Sequence, residues 1–129
     1  MVLVFDNDAV TAFAKQFEHH AFRLFRQEEV PDSPDATHHL YRAWCGCSSS
    51  VSAMVWILLV QEFNDCLPKH ASMERMIWAL HLLSKFDSER SNASLFGVDD
   101  VTYRRWAWWF ITKISSLETS VVRLLLCLV

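Results

Sequence analysis

Glycine and proline are scarce in this chain: two and three among 129 residues. So few glycines exclude a phosphate-cradling glycine loop, and so few breakers point to helices with few tight turns. No apolar run reaches the roughly 20 residues of a membrane span; the stretches 51–60 and 121–129 are both too short. A basic excess is also missing. The net charge is −3 and the pI is near 6.0, so binding to a polyanion would need a local patch working against the overall field. The four cysteines, Cys45, Cys47, Cys66 and Cys127, form no CxxC pair. Cys45-x-Cys47 straddles Gly46, and neither Cys66-x-x-x-His70 nor the pairs His19-His20 and His38-His39 completes a zinc pattern. No metal or cofactor is expected. Met1 to Phe5 runs straight into Asp6 without a basic n-region, so no signal peptide is read and the cysteines are expected to be reduced, intracellular thiols.

Catalytic groupings are equally thin. Nothing orders a histidine against a cysteine for nucleophilic attack. The acids fall at helix caps (Asp6, Asp8, Asp99, Asp100), in a linker (Asp32, Asp35) or on exposed turns (Glu74, Asp87, Glu89). They do not gather as metal-assisted phosphodiester chemistry requires. The chain is therefore read as having no active site.

What is present is hydrophobic content of 52%, arranged with helical periodicity. Val10, Phe13, Phe17, Ala21 and Leu24, with Phe25 alongside, predict an amphipathic helix over 6–29. Pro31-Asp-Ser-Pro-Asp35 ends it and opens a linker. Leu40, Tyr41 and Trp44 give a short helix stopping at Gly46. Ser48 to Ser50 cap the next, nearly all-apolar helix, expected to be the most buried. Ser72 caps a helix over 73–86 whose core face is Met73, Met76, Ile77, Leu80 and Leu83, extended by Trp78 and Leu82.

The stretch from Ser88 to Leu117 reads as a short helix, a turn at Gly97 and a long helix opening on the N-cap Asp99. This is the grammar of a helix-turn-helix. On a 3.6-residue wheel Tyr103, Ala107, Phe110, Ile114 and Leu117 line the core face, with Trp106 beside them. Val101, Arg104, Arg105, Trp108 and Thr112 line the opposite face. Arg104, Arg105, Trp108 and Lys113 are the candidate DNA contacts, able to meet phosphates and base edges. The same residues also read as a solvated face with one exposed tryptophan. Gly46 and Gly97 have similar surroundings, each with an apolar residue on both sides and an N-cap residue next. The chain therefore reads as holding two related units, the first without the arginines and structural.

These elements predict an all-α fold: a bundle of five to six helices containing a helix-turn-helix-like unit. The expected organisation is an N-terminal amphipathic arm (1–30), a linker (31–38), a compact helical body (39–118) and an apolar C-terminal tail (119–129).

The run Met76-Ile-Trp-Ala-Leu-His-Leu-Leu-Ser-Lys-Phe86, then Leu95-Phe-Gly-Val-Asp99, then Thr102-Tyr-Arg-Arg-Trp-Ala-Trp-Trp-Phe-Ile111 resembles the N-terminal region of Harbinger-like transposase-derived proteins of the DDE superfamily. Tyr41-Arg-Ala-Trp-Cys-Gly-Cys-Ser48 and Leu67-Pro-Lys69 are similar to the preceding part of that pattern, so the likeness spans about 40–117. In such proteins this region is thought to bind transposon-end DNA ahead of an RNase-H-like domain that carries the acidic triad. The resemblance implies a nuclear, double-stranded-DNA-binding or assembly module without nuclease activity. Arg105 stands where the family often has lysine. The apolar tail, the acidic net charge and the missing catalytic half depart from the pattern. Two rivals follow: a protein-interaction or self-association module using the N-terminal helix and the tail, and a transposase remnant without selected function.

Overall fold

Five of the helices start where a short polar side chain relieves an orphan backbone N–H. Asp6, Ser33, Ser48, Ser88 and Asp99 take extended backbone and accept from the N–H groups of Asp8, Ala36, Val51, Ser91 and Thr102. The remaining helix opens on Ser72, whose hydroxyl accepts from the Arg75 N–H at 3.3 Å. The computed structural model describes residues 5–26, 31–63, 67–85 and 88–117. Among them the elements are α1 (Asn7–Leu24), α2 (Pro34–Cys45), α3 (Ser49–Glu62), α4 (Met73–Lys85), α5 (Glu89–Phe96) and α6 (Asp100–Ser116), with no strand. The all-α bundle expected from periodicity is thus the fold.

The helices pack as two triplets. α1 lies chiefly against α3, and α4 chiefly against α6, while α4 also touches α1 and α2. The main core joins Phe17 and Ala21 of α1, Tyr41 of α2, Val51, Val55 and Leu59 of α3, Met76, Ile77 and Leu80 of α4, and Phe110 and Ile114 of α6. A second cluster gathers Trp78, Ala93, Tyr103 and Ala107. Burying a side chain such as Phe17 or Phe110 contributes about 1.5–3 kcal/mol, so α1 is an integral core helix rather than an arm. Its buried residues are Val10, Ala14, Phe17, Ala21 and Phe22, so its apolar stripe is used mainly inside the chain.

Several boundaries differ from the sequence reading. α1 ends at Leu24, not near Glu29, and Arg26 takes φ 55°. Phe25 leaves the helix to stack on Trp44 at 4.8 Å and to meet His81 and Phe96 edge-on. The expected linker at 31–38 is half helix: Pro34 sits in the first turn of α2 behind the Ser33 cap, where its missing N–H costs nothing. Leu83, placed on the core face, is 46% exposed, and His81 is buried instead, donating from Nδ1 to the Trp44 carbonyl at 2.6 Å. α3 is not more buried than α4; the shorter α4 is also wrapped on several sides, with Met76, Ile77, Trp78, Ala79, Leu80 and His81 all buried. The expected apolar tail lies outside the described residues, as do Cys66, Phe86 and Asp87.

The two-unit reading gains detail. Gly46 and Gly97 both sit in the left-handed region, at φ 78° and 72°. Ser48 and Asp99, two residues on, cap the following helices alike. The two corners also share a buried bond between equivalent positions. Tyr41 Oη donates to Ser52 Oγ at 2.8 Å, and Asn92 Nδ2 donates to Tyr103 Oη at 3.2 Å; each pair is 11 residues apart in sequence. Each bond staples the helix before the glycine to the helix after it.

The two glycines differ in their surroundings. A Cβ on Gly46 would come within 2.9 Å of the Ser84 side chain on α4, whereas one on Gly97 would meet nothing within 4 Å. Gly97→Ala should therefore cost only the left-handed strain, about 1–2 kcal/mol. Gly46→Ala should cost about 1–3 kcal/mol more through overpacking. Urea midpoints at constant m-value check this; equal losses at the two sites would remove the Ser84 contact as a constraint.

Candidate nucleic-acid interface

The direction of α6 is set by the turn before it. At the end of α5 the Val98 N–H donates to the Ala93 carbonyl at 3.0 Å, and the Gly97 N–H to the Ser94 carbonyl at 3.2 Å. This double closure satisfies the last carbonyls of α5 and requires the left-handed residue that Gly97 supplies. Asp99 then accepts from the Thr102 N–H at 3.0 Å, and the Thr102 hydroxyl and amide hold the Asp99 carboxyl below its ordinary range. Tyr103, Ala107, Phe110 and Ile114 are buried, as the wheel predicts, and Leu117 is half-buried.

The opposite face is open. Val101, Arg104, Arg105, Trp108 and Thr112 are all exposed. Val101 and Trp108 are 71% and 47% exposed, so much of their apolar area is left uncovered by the described residues. Two of the candidate contacts are already engaged. Arg104 Nε donates to Glu89 Oε2 at 2.7 Å, and Trp108 Nε1 donates to Glu89 Oε1 at 3.4 Å. One α5 carboxylate thus holds both side chains. Arg105 lies apart, 6.0 Å from the Trp106 ring. Lys113 is not on the outward face; it lies on the flank of α6, 5.8 Å from the Trp109 ring and 5.7 Å from Phe63. At the start of α6, Arg90 donates to Asp100 at 3.4 Å.

Sequence reasoning missed Glu89 and Arg75. Glu89 lies 15 residues before Arg104, outside any helical spacing. Arg75 comes from α4, with its guanidinium 5.0 Å from Trp106 and 5.5 Å from Trp78. Arg75 and Trp78 are i,i+3 neighbours on α4, but the Glu89 contacts and the Arg75–Trp106 contact have no local signal; they depend on how α4, α5 and α6 pack.

The matching face of the first corner is closed. The residues of α3 equivalent to Arg104, Arg105 and Trp108 are Ala53, Met54 and Ile57. Ala53 is buried with Val10 and Ala14 of α1, and Met54 and Ile57 are packed there with Phe13. A helix of the same chain covers in the first unit what stays open in the second.

Other chemistry is sparse. Cys45 and Cys47 are buried free thiols, and Cys47 Sγ lies 3.5 Å from Ser52 Oγ. Burial pushes both thiols up, and pushes the Tyr41 phenol up as well. His20 Nδ1 is 3.2 Å from Glu74, which also takes Arg23; His38 lies 3.9 Å from Glu18. Among the described residues no group of three or more His, Cys, Asp or Glu side chains is placed to share a metal ion. Among them, too, no single helix is long and apolar enough to cross a membrane. A hollow of about 320 Å³ between α1 and α3 is lined mainly by Phe5, Ala9, Phe13, Trp56 and Ile57, with the α1 cap Asp6 among its few polar groups. No family model, curated protein or solved structure matches the chain.

The buried hydroxyl and thiols set a pH dependence. Their folded pKa values lie above the ordinary 9.0 for Cys45 and Cys47 and 10.0 for Tyr41. The unfolded chain therefore loses these protons first, so stability is full below pH 9.0 and falls as pH rises beyond it. Each thiol contributes up to about 1.4 kcal/mol per pH unit there. Urea midpoints compared at pH 7 and pH 10 should fall less in a Cys45→Ala/Cys47→Ala chain than in the unaltered one. Equal falls would show that the thiols are not responsible.

Proposed function

We propose that this protein binds double-stranded DNA, with α6 as the helix presented to the major groove. One observation carries this: two corners of the same design offer opposite surfaces. The α3 face is apolar and covered by α1, while the equivalent α6 face carries Arg104, Arg105 and Trp108 in the open. Arginine edges suit phosphates and guanine, and an exposed Val101 near the helix start suits a thymine methyl. The resemblance of 40–117 to the N-terminal region of Harbinger-like transposase-derived proteins supports the same partner. Glu89 stands against binding as it is placed, because it neutralises Arg104. Its ion pair is exposed, however, and such pairs contribute about 0–1 kcal/mol, so phosphate can replace it at small cost.

A second function is favoured by one contact. α1 seats a helix on the α3 face, so the open α6 face also suits a partner helix, which would make the protein an interaction module. Sedimentation or size-exclusion mass at micromolar concentration separates the two, since self-association through α6 raises the mass and Trp108→Ala abolishes the rise.

Fluorescence anisotropy of a mixed-sequence duplex at low and near-physiological salt tests the DNA proposal. Binding should weaken with salt. The Arg104→Ala/Arg105→Ala chain should bind about ten-fold or more weakly, with a salt slope shallower by about 2. Glu89→Gln should bind up to about five-fold more tightly, the equivalent of the ~1 kcal/mol ceiling of an exposed ion pair. Absence of binding by the unaltered chain at low salt would end the proposal.

A further inference from the structure

Two cations of α6 and one of α4 have aromatic rings as neighbours and, among the described residues, no carboxylate in an ion pair with them. Arg23, Arg90 and Arg104 each pair with an acid: Glu74, Asp100 and Glu89. Arg75, Arg105 and Lys113 have no such ion pair among the described residues. The guanidiniums of Arg75 and Arg105 instead lie 5.0 and 6.0 Å from the same Trp106 ring. Trp106 meets Trp109 edge-on at 5.5 Å, Trp109 stacks on Phe63 at 5.7 Å, and Lys113 lies over both of these last rings. The result is a ridge of half-buried aromatics lined with positive charge, supplied by α4 as well as α6.

The chemistry of this ridge fits an anion. A guanidinium beside an indole, without a carboxylate partner among the described residues, keeps its N–H donors for phosphate oxygens. Like charges gathered at one ring repel each other, and a bound anion would offset that repulsion. Arg105 and Lys113 are two helical turns apart, about 12 Å along the axis, which gives room for more than one phosphate of a strand. A chain of net charge −3 has few cations to spare, so three on one ridge, without acidic partners among the described residues, are a concentrated source of attraction.

We infer that Arg75, Arg105 and Lys113, set along the Trp106–Trp109 ridge, form a phosphate track that holds the backbone of the DNA whose groove receives α6. This rests on the DNA reading above and adds to it the α4 residue Arg75 and a role for the flank.

The test uses the full chain with Arg75→Gln/Lys113→Gln, titrated against the same mixed-sequence duplex across a salt series. Loss of two phosphate contacts should lower affinity about ten-fold and reduce the salt slope by about 2. Arg75→Lys/Lys113→Arg should keep most of both. If the Gln pair loses helicity by circular dichroism, Lys113→Gln alone is read, with a slope shallower by about 1. Unchanged affinity and slope in a folded variant overturn the track. The parent reading is scored separately with Arg104→Ala/Trp108→Ala. Binding lost there and kept in the flank variant overturns the track alone. No binding by the unaltered chain overturns both.

Discussion

At Gly46 and Gly97 the backbone enters the left-handed region, where a Cβ costs about 1–2 kcal/mol, and each long helix takes its direction from that turn. Everything the chain can present on α6 depends on the second of these reversals. The closure differs between them. Gly46 makes a single bond from its N–H to the Arg42 carbonyl at 2.8 Å and is pressed against Ser84. Gly97 uses the double closure and stands clear of the body. The first corner is thereby tied into α4, while the second projects. The buried Tyr41–Ser52 and Asn92–Tyr103 bonds then fix the angle at each corner. An unsatisfied buried amide at Asn92 would cost about 1–3 kcal/mol, so the second corner has little freedom to open.

The two triplets form one body through α4, which packs against α1 and α2 as well as α6. It gives Met76, Ile77 and Leu80 to the main core and Trp78 to the second. Its first turn also carries Glu74, which gathers His20 and Arg23 of α1. At its far end His81 sits against Phe25, Phe96 and the Trp44 carbonyl. α1, α2 and α5 thus meet at one aromatic joint. α1 ends where Phe25 enters that joint, with Arg26 at positive φ.

The sequence made the helices and the split of α6 into core and open faces legible, because a 3.6-residue period is a local property. Ser48, Ser72 and Asp99 announced their helices for the same reason. The open face was legible down to the residue, from Val101 to Thr112. Charge pairing was not. Glu89 reaches Arg104 and Trp108 only because α5 folds back along α6, and Arg75 reaches Trp106 only because α4 packs beside it. Lys113 was grouped with Arg104 by sign and helix, yet the wheel already sets it away from Trp108, and the fold gives it Trp109 and Phe63. Leu83 and His81 exchanged places because hydropathy ranks leucine inside, while a histidine with a carbonyl partner and aromatic neighbours can be buried at little cost.

The electrostatics of α6 follow from this division. On the outward face Glu89 offsets Arg104 and Asp100 offsets Arg90 nearby, whereas Arg105 at its edge, Lys113 and Arg75 have no acid paired with them among the described residues. A polyanion approaching a chain of net charge −3 would feel little long-range pull, so encounter would be slow and would rely on the local cations. Docking would begin where charge is uncompensated, at Arg75, Arg105 and Lys113. Only after that would Glu89 release Arg104 to a phosphate or a base edge. On the DNA proposal such an order would separate attraction from reading: the flank would supply contact energy that any duplex can use, and the Glu89 pair would oppose groove contacts not good enough to replace it. Discrimination would then come from the outward face, where each wrong base leaves Arg104 better off on its own carboxylate.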